Sequence, residues 1–281
     1  MTISGGPNGA AFGPDAALYI CNDGGFTWLP LPPPPAKSQL RIATTQAADY
    51  TGGNLQRVDL GSGAVSDLIT ASTSPTIALR SPDDLVLDGE GGCWITDWGK
   101  IRARDRDVTS VFYLAPDGRT LRQSIPSLNL PNGIALSPHG ACLYVALSFE
   151  RRILNYEVAA GGSIKPNPRT LDGSYLITGD FIGSSVLDSM AVDERGNLYV
   201  ATMLPQGADP STNGGITVVS PEGEILDYVE IKLPDDMPVP LPSNICFGGA
   251  DMQTAYITCG GTGYLISMPA LVPGLRLHFN G

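Results

Sequence analysis

Three features of this sequence predict an all-β fold, specifically a β-propeller of four-stranded blades. One strand–turn–strand pattern occurs five times, Pro/Gly turn signals recur at short intervals, and no segment sustains a helical apolar period. Each copy opens on Asn or Asp, runs through a short apolar strand, turns, and re-enters a second strand that holds an aromatic residue. The leading residues are Asn8, Asp83, Asn132, Asp188 and Asn244, and the aromatics are Tyr19, Trp94, Tyr144, Tyr199 and Tyr256. Successive leading residues are 75, 49, 56 and 56 positions apart. Strand-rich repeats of this length mark propeller blades, five by this count, read as a single domain over 1–281.

The elements follow in order. The second repeat predicts strands near 84–88, 92–96, 109–115 and 119–125, the last two joined by Pro116-Asp117-Gly118. The fourth predicts 189–193, 197–202, 215–220 and 224–231, with Pro221-Glu222-Gly223 at the same turn. In the fifth, Leu275 to Phe279 is expected as the closing strand. Consecutive strands in a blade are antiparallel, so the start of strand one and the loop after strand two share one end. The leading residues therefore belong to the face carrying loops 22–54, 97–109, 147–151, 202–215 and 259–263. The first loop holds Trp28, the run Pro32 to Pro35, and Tyr50. Proline makes such a run stiff and extended.

Composition narrows the function. The chain has 281 residues, 34 Gly, 24 Pro and a formal charge of −11, which argues against nucleic-acid and anionic-membrane partners. The five cysteines form no C-x-x-C pair and lie in or beside apolar strands, which predicts buried reduced thiols rather than disulfides or a zinc site. The N-terminus has no charged and apolar leader, and no stretch is long enough for a membrane span, so the expected location is cytoplasmic.

Strand order gathers Asp83, Asp188, Asn8, Asn132 and Asn244 around the channel mouth. Carboxylate and amide oxygens are hard ligands that suit calcium, magnesium or manganese, with zinc as an alternative. The plainer reading is that these residues cap strands. Repeat ancestry alone would place similar residues at similar sites. Gly9 and Gly133 allow close backbone approach. Only His139 and His278 occur in the chain, and His139 is expected in a turn at the opposite face, which argues against a Ser-His-Asp triad. The segment Arg102 to Asp107 reads as a solvated loop with internal ion pairs, or as a place where Arg102 holds a substrate carboxylate.

At these residues the sequence resembles the SMP-30/gluconolactonase/luciferin-regenerating-enzyme family. The matching segments are LPNGIALSPHG (130–140), LDSMAVDERGNLYVAT (187–202) and SNICFGGADMQTAYIT (243–258). The resemblance spans nearly the whole chain. It implies a propeller, usually six-bladed, with a divalent metal above the channel and activity on sugar lactones and related esters. The family's metal-binding Asn matches Asn132 and its Asp matches Asp188, while Asp83 stands where a family Asn is usual. The family's ligand Glu, in an E-G-P motif, has no counterpart, which counts against the metal. The sequence opens at what resembles the family's second blade, so a five-bladed variant or a replaced first blade is expected.

The resulting expectation is a hydrolase of a lactone or small ester. Asp188 would be the catalytic base, Asn132, Asp188 and Asp83 would hold a divalent ion, calcium first, and Asn8, Asn244, Trp28, Trp98, Arg102 and Met203 would touch the substrate. Two other readings stand beside it. One is a metal-free strictosidine-synthase-like propeller enzyme performing a condensation or lyase reaction. The other is a non-enzymatic binding scaffold.

Overall fold

The computed structural model describes residues 2–30, 41–74, 77–170, 174–178, 185–203, 214–234, 240–260 and 263–280. These residues form strands and turns, with no helix among them. The strands are short runs, buried on both faces in strands such as Pro82–Leu87 and alternating in others such as Thr254–Cys259, closed by specific turn chemistry. At Pro116-Asp117-Gly118, for example, Asp117 Oδ1 accepts the N–H groups of Arg119 and Thr120, both at 2.8 Å, and Gly118 takes a φ of 66°.

Five blades result. Blade one holds β1 (Pro7–Phe12), β2 (Leu18–Asn22), β5 (Asn54–Val58) and β6 (Val65–Ile69). A separate hairpin, β3 (Phe26–Pro30) and β4 (Arg41–Gln46), is inserted after β2, where a plain loop was expected. Blade two is β7 (Pro82–Leu87), β8 (Cys93–Asp97), β9 (Thr109–Leu114) and β10 (Leu121–Leu128). Blade three is β11 (Pro131–Leu136), β12 (Cys142–Leu147) and β13 (Arg152–Ala159), with short β14 (Ser163–Ile164) and β15 (Tyr175–Thr178) both pairing β13. Blade four is β16 (Leu187–Val192), β17 (Leu198–Thr202), β18 (Gly215–Val219) and β19 (Ile225–Glu230). Blade five has three strands, β20 (Pro242–Gly248), β21 (Thr254–Cys259) and β22 (Tyr264–Pro269).

The expected closing strand of blade five is not one. Leu275 N–H instead donates to Val192 O at 2.9 Å, and Gly274 bridges Asp193. The tail then runs under the channel. Leu275 packs on the core between blades three and four, and Phe279 on the core between blades one and two. Gly274 is required there, because a Cβ would lie 2.1 Å from Phe247.

The core is a set of seams between blades. In four of them, the strand-two aromatic side of one blade meets the next blade's inner strand. Trp94 and Tyr113 face Ile134 and Leu136, and Tyr199 faces Ile245 and Phe247. The inner strands pack in the order β1, β7, β11, β16, β20. Among the described residues, β20 and β1 make no comparable packing, so the expected closed ring has four packed seams.

Candidate active site at the channel mouth

The inner strand of every blade carries one extra residue near its start, between positions 7 and 10, 82 and 85, 131 and 134, 187 and 190, and 242 and 244. Such a bulge breaks the ladder and re-aims side chains. All five leading residues fall at these bulges. Sequence alternation alone cannot show this, since the extra residue appears only when the two strands are paired.

The bulges bring Asp83, Asn132 and Asp188 together. The Asn132 side chain favours the charged form of Asp188, whose Oδ1 accepts the Ser189 N–H at 3.1 Å. Burial, and then the neighbouring carboxylates, push the proton affinity of both Asp83 and Asp188 far above the usual carboxylate range. Asp83 responds directly to Asp188, so the two behave as a pair. Asp83 Oδ1 and Asn132 Oδ1 are buried with no hydrogen-bond partner. An orphaned amide oxygen and two mutually repelling carboxylates, one of them with an orphaned oxygen of its own, fit a hard cation, which would satisfy all of them at once. The set is thin, with two carboxylates and one amide. No group of three or more acidic, His or Cys ligands occurs among the described residues.

The local backbone explains the convergence. Gly133 lets β11 lie against β16, since a Cβ there would meet Asp188 O at 2.5 Å. Leu130, just before Pro131-Asn132, adopts a φ of 53° and donates its N–H to Thr109 Oγ1 at 3.1 Å. Left-handed backbone at a non-glycine costs about 1–3 kcal/mol and persists where the surroundings enforce it. Thr96 Oγ1 donates to Asn132 O at 2.6 Å, linking blade two to blade three directly below the site.

Three buried groups escaped the sequence reading. Asp84, one residue past the leading Asp83, lies against Gly9, where a Cβ would come within 2.5 Å of its carboxylate. Burial raises its pKa to about 6, opposed by the Leu85 N–H that its Oδ1 accepts at 2.9 Å. It lines the channel, a cavity of about 100 Å³. Lys100 and Asp23 form the second feature, a buried ion pair at 3.4 Å. Lys100 Nζ also donates to Gly25 O at 2.9 Å and sits 3.3 Å from the centre of the Phe26 ring. Desolvation lowers the Lys100 pKa and raises that of Asp23, and their mutual attraction opposes both shifts. The doubled acid in Pro82-Asp83-Asp84 was a usable signal for Asp84. A lysine paired across 77 residues left none.

The remaining expected residues are spread out. Asn8 is exposed, and Asn244 turns its Oδ1 onto the Ile245 N–H at 2.7 Å. Trp98 is half-buried above blade two, between the Phe26 and Phe149 rings. Trp28 lies on the β3 hairpin, 52% exposed. Arg102 binds Asp105 and Asp107, the latter at 2.8 Å, so its guanidinium is committed within its own loop. Met203 is half-buried after β17, and its N–H donates to Val186 O. The Pro32–Pro35 run lies outside the described residues. His139 occupies the β11–β12 turn, at the end of the blade away from Asn132. All five cysteines are free thiols, but Cys142 is only half-buried and Cys246 is exposed, against the expectation that all are buried.

The described blades form a propeller whose bulged inner strands present oxygen donors at one end of the array. Residues 2–261 match the SMP-30/Gluconolactonase/LRE-like region, and the chain belongs to that family. It is 33% identical to a gluconolactonase of Zymomonas mobilis over 64% of this chain and 48% of that protein. It is 32% identical to lactonase drp35 of Staphylococcus aureus over 69% of this chain and 49% of that protein. The chain thus spans about half the length of these relatives. Two solved structures share the fold. A gluconolactonase from Xanthomonas campestris has a TM-score of 0.62 at 22% identity, covering 94% of this chain and 71% of its own. A calcium-binding regucalcin from Agrobacterium tumefaciens has a TM-score of 0.63 at 15% identity, covering 98% and 95%.

Proposed function

We propose that this protein hydrolyses a lactone or small ester at the channel mouth, with Asp188 as the proton acceptor. The carrying observation is the Asp83–Asn132–Asp188 cluster, with its two orphaned oxygens and its elevated proton affinity. Family membership and the named lactonase relatives support the same reaction class.

A general base works best when its pKa approaches the working pH, and burial moves Asp188 in that direction. Asn132 and the Ser189 N–H fix the carboxylate's orientation. Water oxygen attacks the carbonyl carbon as its proton passes to Asp188. The ring C–O bond then breaks, and the departing oxygen takes that proton. Asp83, Asn132 and Asp188 would hold a divalent cation, with calcium the first choice and zinc, manganese or magnesium the alternatives. When bound, it supplies Lewis-acid polarisation of the carbonyl. Missing the family Glu, the site is expected to bind that cation more weakly than a full ligand set would.

The test is a panel of lactones and esters assayed before and after chelation, with calcium, manganese and zinc added back. Hydrolysis that chelation abolishes and one ion restores supports the reading. A folded protein that turns over none of the panel with any ion overturns it, and full activity after exhaustive chelation removes the cation.

A further inference from the structure

Above the acid cluster, three loops from three successive blades each place an aromatic ring. Phe26 follows β2, Trp98 follows β8 and Phe149 follows β12. The rings are contiguous. Trp98 meets Phe26 edge-on, with centroids 5.7 Å apart at 82°, and meets Phe149 tilted at 57°, with centroids 6.5 Å apart. Because no two rings are parallel, they form a bent shelf rather than a stack. Phe149 is 55% exposed, an unusual setting for a phenylalanine on a tight loop.

The backbone under each ring is pinned. Trp98 N–H donates to Ser81 O at 2.9 Å. The Phe149 loop is closed by Arg151 N–H to Leu147 O at 3.1 Å. Phe26 lies beneath the buried Lys100 ammonium. Side chains held this way lose little freedom when a ligand arrives. The shelf also lies at the end of the blades that carries the reaction site, since Pro82 pairs with Asp97 and Pro131 with Leu147. Trp98 shares blade two with Asp83, and Phe149 shares blade three with Asn132.

Among the described residues of this arc, Lys100 is committed to Asp23 and Gly25, and Arg102 to Asp105 and Asp107. A polyhydroxylated ring laid on the three aromatics would give up water for few partners. An alkyl or aryl substituent would cover apolar surface on both sides.

Building on the lactone-hydrolase reading above, we infer that Phe26, Trp98 and Phe149 form a subsite for an apolar substituent, making the preferred substrate an alkyl- or aryl-substituted lactone or ester rather than a polyhydroxylated sugar lactone. The carbonyl then lies over Asp83, Asn132 and Asp188, with the tail directed toward blade one.

The experiment compares δ-lactones of increasing alkyl tail length, a phenyl-substituted δ-lactone and δ-gluconolactone. The same tails on δ-lactams, which resist hydrolysis, are measured for binding by calorimetry. Expected is a rise in kcat/KM and in lactam affinity of about two- to fourfold per methylene, with δ-gluconolactone the poorest substrate. Phe149→Ala and Trp98→Ala should flatten that gradient. Phe149→Ala keeps the test available if Trp98→Ala fails to fold. A flat gradient with active lactone hydrolysis, or a preference for δ-gluconolactone, overturns the subsite and leaves the hydrolase. Tail-dependent lactam binding without hydrolysis of any lactone supports the subsite and overturns the hydrolase.

Discussion

The seam between blades four and five and the flank where blade five faces blade one use the same two residues to different effect. At the first, Tyr199 and Phe247 pack edge to face with centroids 5.1 Å apart, and they are 4% and 8% exposed. Tyr256 and Phe12 occupy the same repeat positions at the second, yet they are 37% and 41% exposed. Cys246, the cross-strand partner of Tyr256, is exposed too. A repeat fixes which residue stands at a position, but only a neighbour makes it core. The distinction extends to chemistry. Asp83, Asn132 and Asp188 sit on blades joined by packed seams and converge. Asn8 and Asn244 flank the unpacked side and make no described contact with that trio.

The largest expected effect is therefore on stability. Tyr199→Ala should cost about 3–5 kcal/mol in denaturant unfolding, as for other buried aromatics, and Tyr256→Ala less than about 1.5. Equal losses would mean that the Tyr256 side is covered in solution and would end the comparison. Next comes activity on a verified substrate. Asp188→Asn should lower the rate roughly 100-fold or more with folding retained, whereas Asn244→Ala should change it by less than about threefold. A folded Asp188→Asn protein with wild-type turnover would take that carboxylate out of the mechanism.

Asp83 gives a third, pH-dependent contrast. Its proton affinity in the folded state lies above that of an unfolded carboxyl, about 3.9. The stability it contributes is thus complete below about pH 4 and is lost as pH rises toward its folded value. Cation-free protein should show a falling Tm from pH 5 to 8, and Asp83→Asn should flatten that fall. An unchanged slope would mean that Asp83 is solvated in solution. The smallest effect is a labelling order. A thiol reagent should reach Cys246 well before Cys21 or Cys93, which lie within the first packed seam. Simultaneous labelling of all three in the folded protein would contradict that burial.

Much of the fold was legible because repetition multiplies weak signals. Strands β7 to β10 and β16 to β19 fall within a few residues of their predicted places, since turn residues such as Asp117 and Gly118 act locally. The convergence of Asn132 with Asp188 was legible as two motifs. The buried, unpartnered Asn132 Oδ1 was not, because it depends on bulges that appear only on pairing. Burial of the Lys100–Asp23 pair is set by loops from two blades, and no window of sequence contains both. The tail at Leu275 misled for a related reason. Its alternating pattern suits a strand, but its apolar side chains are used under the channel.

The bulges of blades two, three and four turn the mouth into a set of interchangeable sockets. Each of these blades presents one residue through its own backbone irregularity, so exchanging Asn for Asp in one of them alters the charge at the rim by a single step and leaves the other two presentations intact. A scaffold arranged in this way can be retuned for a different ion or leaving group one blade at a time, with no backbone redesign.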